Sequence, residues 1–280
     1  MFQLEPNRPY HLERAPLAQA LAQVRYPIVA RLQTLEGIAP IQDRLHDLFP
    51  FMERRETTEL AILVGPGGPS EPQVGSTSAW ELSDDLGNLV SVAPGIATLS
   101  AGETYQGVAW FSERFEALLN ALASEVGIRR CDRLGVRYLS LAESPPGEER
   151  AWNGWFRPEL TGWMGGGVLA DETEVQNSIT QTALLSPPTG ELALLPSEAQ
   201  AVIRHGLVQG GGTVPGIPPV TLEREVFLLD LDLFVAFGQS FDPDALVEQF
   251  RSLHSQIDRF FRWTLTEAGE SYFGLEELDS

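Results

Sequence analysis

The chain has 280 residues, 43% of them hydrophobic and 21% charged, which is ordinary for a folded protein and excludes disorder over most of its length. Its 39 Asp plus Glu against 19 basic residues leave a formal charge of −20, a field that repels nucleic acid and anionic membrane and attracts basic partners. Every basic residue is Arg; without a Lys, the chain has neither a Schiff-base lysine nor a phosphate-binding lysine of the Walker type.

The single cysteine, Cys131, excludes an intramolecular disulfide and a Cys-rich zinc site. Met1–Pro6 has no basic region followed by an apolar run, so no signal peptide is expected. No run of eighteen apolar residues is present. A cytoplasmic protein is expected, with no membrane association.

In chain order, Leu17–Ile28 reads as a strand closed by Pro27. Apolar residues at Ile38, Ile41, Leu45, Leu48, Phe49 and Met52 predict an amphipathic helix over Ile38–Met52. Thr57–Val64 is β-rich and stops at the loop signal Gly65-Pro66-Gly67-Gly68-Pro69. Ser78–Leu82, Leu89–Val92 and Ile96–Leu99 form an antiparallel meander by their spacing, with turns at Asp84–Asn88 and Pro94-Gly95. Phe111–Val126 is a helix, with Ser112 as expected N-cap and Gly127 as expected C-cap. Arg133–Leu141 is a strand.

Ser144–Arg150 is loop chemistry and sets a sub-domain boundary. Strands are then predicted at Val175–Leu185, Gln200–Val208 and Val226–Phe237. The longest helix is Pro243–Leu265, with Asp242 at the N-cap and Pro243 at the first helical position. Thr266–Ser280 has five acids and no base and reads as an acidic tail. Strands come in runs, which predicts α+β with mostly antiparallel sheets and packed helices. The expected division is an α+β sub-domain over 1–143, a Pro/Gly/Trp-rich connection over 144–173, a second α+β sub-domain over 174–266 and the tail over 267–280. The two sub-domains are candidates to share a continuous sheet.

Several segments carry a resemblance in order. They are Ala15-Pro16-Leu17 leading into Val24-Arg25-Tyr26-Pro27, Trp80–Asp85 with Leu89–Val92, Tyr105 before Trp110 and Phe115, and Arg133-Leu134-Gly135-Val136-Arg137-Tyr138-Leu139. Asp230-Leu231-Asp232 and Leu253-His254 with Phe260-Phe261 complete the series. On these residues the chain resembles a sporadically distributed bacterial family of uncharacterised proteins of similar length. The resemblance implies architecture rather than mechanism, and the patchy distribution implies an accessory or defence-type role.

Two residue groups are candidate sites. Arg133 and Arg137 point to one face of their strand, and Asp230 and Asp232 to one face of theirs, with Leu229, Leu231 and Leu233 opposite. If the strands are neighbours, Arg137 pairs with Asp230 or Asp232, as an ion-pair ladder fixing register or as a polar pocket for a ligand. Trp152, Trp155, Phe156 and Trp163 are either a satellite core or a partner-binding patch. His254 and Asp258, at i and i+4, form a helix-surface pair.

No His spacing calls for a metal, no catalytic residue is assigned, and no cofactor is implied. The Gly210–Gly212 run reads as a mobile loop. Cys131, after Arg129-Arg130, reads as inert, the alternative being a thiol activated by adjacent charge. The leading functional expectation is a protein-binding accessory or inhibitor protein of a defence or toxin–antitoxin-type system, its partner a protein and a basic one by charge. The alternative is a small-ligand sensor or enzyme using the Arg/Asp face.

Overall fold

A computed structural model of the chain describes residues 1–6, 8–61, 64, 65, 68, 69, 73–165, 170, 173 and 175–278. Pro66 and Gly67 of the glycine-rich loop after Val64, Gly166 and Gly167 in the Pro/Gly/Trp-rich connection, and the last two residues of the acidic tail lie outside the described residues.

The α+β expectation holds. Nine strands form the main sheet: β1 (Leu17–Arg25), β2 (Phe51–Ala61), β3 (Gln73–Ser83), β4 (Leu89–Ala93), β5 (Ile96–Ala101), β6 (Arg133–Glu143), β7 (Ser178–Ser186), β8 (Ala199–Val208) and β9 (Val226–Val235). Their order is β7-β8-β9-β6-β1-β5-β4-β3-β2. Every strand pair with a described register is antiparallel. The longer helices are α1 (Leu35–Leu45), α2 (Val108–Ala121), α3 (Pro243–Thr264) and α4 (Glu267–Phe273). Among the described residues no helix is long and apolar enough to cross a membrane.

The chain divides into two compact units. One comprises Met1–Leu21, Leu134–Phe237 and Glu248–Ser280; the other comprises Ala22–Arg133 and Gly238–Val247. This differs from the boundary expected at 144–173. The reason is pairing: β6 matches β9 residue for residue from Leu134↔Val235 to Glu143↔Val226, so residues on either side of the Pro/Gly-rich stretch share one unit.

In the unit holding residues 22–133, α1 starts at Thr34, whose hydroxyl accepts from Gly37 N at 3.2 Å. It ends at Leu45 and not at Met52 as the apolar spacing suggested. Pro50 disfavours helical backbone at the residue before it, and Phe51 and Met52 open β2 instead. The β3–β4–β5 meander forms as expected, and Asp84 Oδ1 closes its first turn by accepting from Leu86 N at 2.9 Å and Asn88 N at 2.8 Å. Helix α2 starts three residues before the predicted Phe111. The Ser112 hydroxyl is therefore no cap; inside the helix it donates to Ala109 O at 2.9 Å. A five-residue π-turn, Leu122–Val126, follows α2 and ends at Gly127, whose φ of 73° is the left-handed backbone that glycine adopts without strain. Buried Ile38, Ile41 and Leu45 of α1, and Phe111, Phe115, Leu118 and Leu119 of α2, make the core.

In the other unit, β8, β9 and β6 present one apolar face. Leu134, Val136, Phe227, Leu229, Leu231, Leu233, Ala201 and Ile203 are all at most 4% exposed. Helix α3 lies on this side: His254 meets the Tyr138 ring edge-on at 5.4 Å. Asp242 caps α3 as expected, accepting from Asp244 N at 3.1 Å and Ala245 N at 3.3 Å. The expected acidic tail is not a tail. Residues 267–273 form α4, capped by Thr266 accepting from Gly269 N at 3.1 Å, and Leu275–Glu277 pairs with Tyr10–Leu12.

Candidate functional site

The register of three strands places the charged side chains. Asp230 on β9 stands directly opposite Arg204 on β8, and Asp232 directly opposite Arg137 on β6. Arg137 nevertheless reaches diagonally to Asp230: Nε donates to Oδ1 at 2.6 Å and Nη2 to Oδ2 at 3.0 Å. Arg204 Nη1 donates to the same Oδ2 at 2.9 Å, and Arg204 Nε to Gln181 Oε1 on β7 at 2.7 Å. A row of four polar side chains therefore crosses four strands. Asp230 is 2% exposed, while the Arg137 and Arg204 side chains are 19% and 35% exposed. One bidentate contact from Arg137 and a single hydrogen bond from Arg204 satisfy one buried carboxylate, which is what makes a charged group tolerable there.

Of the predicted polar residues, the structure brings Arg137 and Asp230 together. Asp232 is half-buried on the same face beside them. Arg133 is directed elsewhere: its Nη1 donates to Gln23 Oε1 at 3.1 Å. Arg204 was missed. Its signal is the alternation along β8, where Gln200, Val202 and Arg204 face one way and buried Ala199, Ala201 and Ile203 the other. Using it requires knowing that β8 lies beside β9.

The face carrying this row is open over much of its area, whereas the opposite face is buried along most of β8, β9 and β6. Gln181, Ala183 and Leu185 of β7 are exposed, and Gln200, Val202, Arg204, Asp232, Phe234 and Arg137 are half-buried. Towards its other end the face is covered: Val214 and Leu222, from the loop between β8 and β9, pack with Leu139 and Leu228. Gln19 holds that loop, its Nε2 donating to Ile217 O at 2.6 Å and its Oε1 accepting from Ile217 N at 3.0 Å. The Gly210–Gly212 run belongs to this loop and is tied down at both ends, Gly211 N donating to Leu222 O at 2.8 Å and Leu222 N to Gly212 O at 3.0 Å.

The aromatic group is mostly core. Trp152, Trp155 and Phe156 are 1%, 6% and 1% exposed, and only Trp163, at 55%, faces solvent. Trp152 and Phe156 stack on Phe227 with centroids at 5.0 and 4.7 Å, and Trp155 stacks on Tyr272 at 3.7 Å. The partner-binding expectation is corrected for these three. The helical turn Trp152–Trp155 is held against the C-terminal residues, since Thr266 N donates to Trp155 O at 2.9 Å and Arg157 N to Thr264 O at 2.8 Å.

A concave site of about 220 Å³ lies in the same unit, lined among others by Arg157, Arg259, Arg262 and Trp263. Arg262 pairs with Glu277 at 2.8 Å and Glu270 at 3.5 Å, and Arg259 pairs with Glu191. Arg157 Nε donates to Trp263 O, and its guanidinium lies over the Trp263 ring at 5.3 Å. Among the described residues no three His, Cys, Asp or Glu side chains are grouped to hold a metal ion.

Cys131 is fully buried, and burial pushes its thiol up to about 12, against the activated reading. His254 packs against Tyr138 and Phe250 and is not a surface group; Asp258 accepts from Tyr10 Oη at 2.8 Å. Burial lowers the His254 pKa below its ordinary value of 6.5, the Asp258 carboxylate opposing; burial also lowers that of His205, whose Nδ1–H donates to Leu160 O at 2.9 Å. A base with a depressed folded pKa is held neutral, while in the unfolded chain it protonates near 6.5. The unfolded state then binds more protons, so stability is full above pH 6.5 and declines as pH falls below it. The urea midpoint is expected to drop between about pH 7.5 and pH 5.5, and His254→Phe to flatten that slope. A midpoint that rises towards pH 5.5 contradicts the desolvation of these two partly buried rings.

No protein-family model and no curated protein matches this chain.

Proposed function

We propose that this protein is a binding protein that docks a protein partner on the open face of the β7-β8-β9-β6 sheet. The observation that carries this reading is the asymmetry of that sheet: one face is closed by helices, and the other leaves Val202, Phe234, Arg204 and Arg137 at its surface. Arg and aromatic residues dominate interface energetics, and an interface core is depleted of unpaired charge. Here the two arginines are already balanced by Asp230 and Asp232 and held in place by Asp230, so ordering them on binding costs little. The charge of −20 acts at longer range and favours a basic partner through a faster encounter. The resemblance noted in the sequence adds an accessory or defence-type role, and an inhibitor in a toxin–antitoxin-type system is one form of that role. The ligand-sensor alternative has less support, because four guanidinium hydrogen bonds on this face already go to Asp230 and Gln181.

The test is co-purification of the tagged protein from its own host at moderate salt, in parallel with a Val202→Glu, Phe234→Ala variant. A stoichiometric basic protein is expected with the wild type, reduced at least tenfold with the variant at unchanged thermal midpoint. A wild-type protein that emerges alone, or a partner retained equally by the variant, refutes the reading.

A further inference from the structure

Strand β7 ends the sheet on one side, and among the described residues only β8 pairs with it. Among the described residues its outward backbone groups have no backbone partner. Of its nine residues, Ile179, Thr180, Gln181, Thr182, Ala183 and Leu185 are exposed, and both faces of the strand contribute. Such an edge is a template for another strand, and proteins ordinarily guard it with charge. The opposite end of the strand order is guarded in this way: β2 carries Glu53-Arg54-Arg55-Glu56. β7 carries none, and no charged residue occurs from Val175 through Gly190 in a chain that is otherwise one-fifth charged.

The unguarded sequence Ser178-Ile179-Thr180-Gln181-Thr182-Ala183-Leu184-Leu185-Ser186 matches itself about Thr182 at its outer positions, where Ser178 mirrors Ser186 and Ile179 mirrors Leu185. We propose that two copies of this chain associate through β7, paired antiparallel about a twofold axis at Thr182. In that register Ile179 meets Leu185 of the second copy, and Leu185 meets Ile179 of the second copy, on one face. These are the strand's large exposed hydrophobics, at 41% and 63%. Gln181 meets Ala183 of the second copy, Ser178 meets Ser186, and Thr182 meets itself. Cross-strand pairs of this kind stabilise an antiparallel ladder, and a twofold interface needs such self-complementarity. A basic segment fits the edge less well, since β7 offers it no carboxylate. Repulsion between two chains of charge −20 opposes the association and is screened by salt, so the dimer strengthens as salt is added, opposite to the docking of a basic partner.

The dimer is made by β7 alone at the strand edge, whereas the docking function is centred on Val202 and Phe234 of β8 and β9, so Val202→Glu, Phe234→Ala leaves the dimer intact. Sedimentation equilibrium of the full chain is the measurement. The wild type is expected at twice 30.8 kDa, with a dimer fraction that rises with salt. Thr182→Glu sets two carboxylates face to face on the axis and is expected to weaken the dimer at least tenfold while the thermal midpoint of the monomer holds. The register is checked by mixing: Ile179→Arg, Leu185→Arg and Ile179→Glu, Leu185→Glu are each monomeric alone and form a heterodimer together. A wild type monomeric at its highest soluble concentration, a dimer unmoved by Thr182→Glu, or charge variants that fail to pair overturns the proposal.

Discussion

Asp230→Ala is expected to destabilise the protein by about 3 kcal/mol, the lower end of the range for removing one partner of a buried pair. The carboxylate is 2% exposed and receives three guanidinium hydrogen bonds, two from Arg137 and one from Arg204. Without it, two like charges face each other across three strands. Arg137 and Arg204 are 19% and 35% exposed, so both can turn partly to water, which holds the loss near the lower end. Replacing all three residues together, Arg137→Met, Arg204→Met and Asp230→Leu, is expected to be close to neutral, since a charged row of this kind specifies register more than it adds stability. Urea unfolding of the single and triple variants measures both. An Asp230→Ala loss below about 1 kcal/mol would place the row among ordinary surface pairs.

Trp152→Ala carries the second large effect, a loss of about 3–5 kcal/mol, because the removed ring leaves a cavity that its neighbours only partly fill. The ring is 1% exposed and stacks on Phe227, which Phe156 also covers. Trp163→Ala, at a side chain 55% exposed, is expected to stay within about 0.5 kcal/mol of the wild type. Scanning calorimetry of the two variants separates core from surface. A Trp152→Ala protein of unchanged stability would return this residue to the set of partner-binding candidates.

The same contrast shows what was legible in the sequence. Trp152, Trp155, Phe156 and Trp163 stand within twelve residues and have similar side chains, yet three are buried and one is not. Burial depended on a contact over a hundred residues away, where Thr266 ties to Trp155 and Tyr272 stacks on its ring. Helix α4 was hidden for a related reason. Its seven residues are too few to show a helical period, and five acids in fifteen residues resemble a solvated tail until Phe273 is seen to be buried.

Local chemistry by itself determined the elements with strong periodicity or terminal signals: the meander β3–β5, strands β6 and β9, helix α3 with its Asp242 cap, and the stop at Gly127. Side-chain alternation also determined that Asp230 shares a face with Asp232 and not with Leu231. Strand order was decided only by the tertiary structure. A period of two says which face a side chain takes but not which strand lies beside it, so Arg204 was invisible as the second partner of Asp230. Nor does it identify an edge: an uncharged strand reads alike in the middle of a sheet and at its end. Only the order β7-β8-β9-β6 shows that Ser178–Ser186 has one side unpaired among the described residues, and that one face of this sheet is left open beside it.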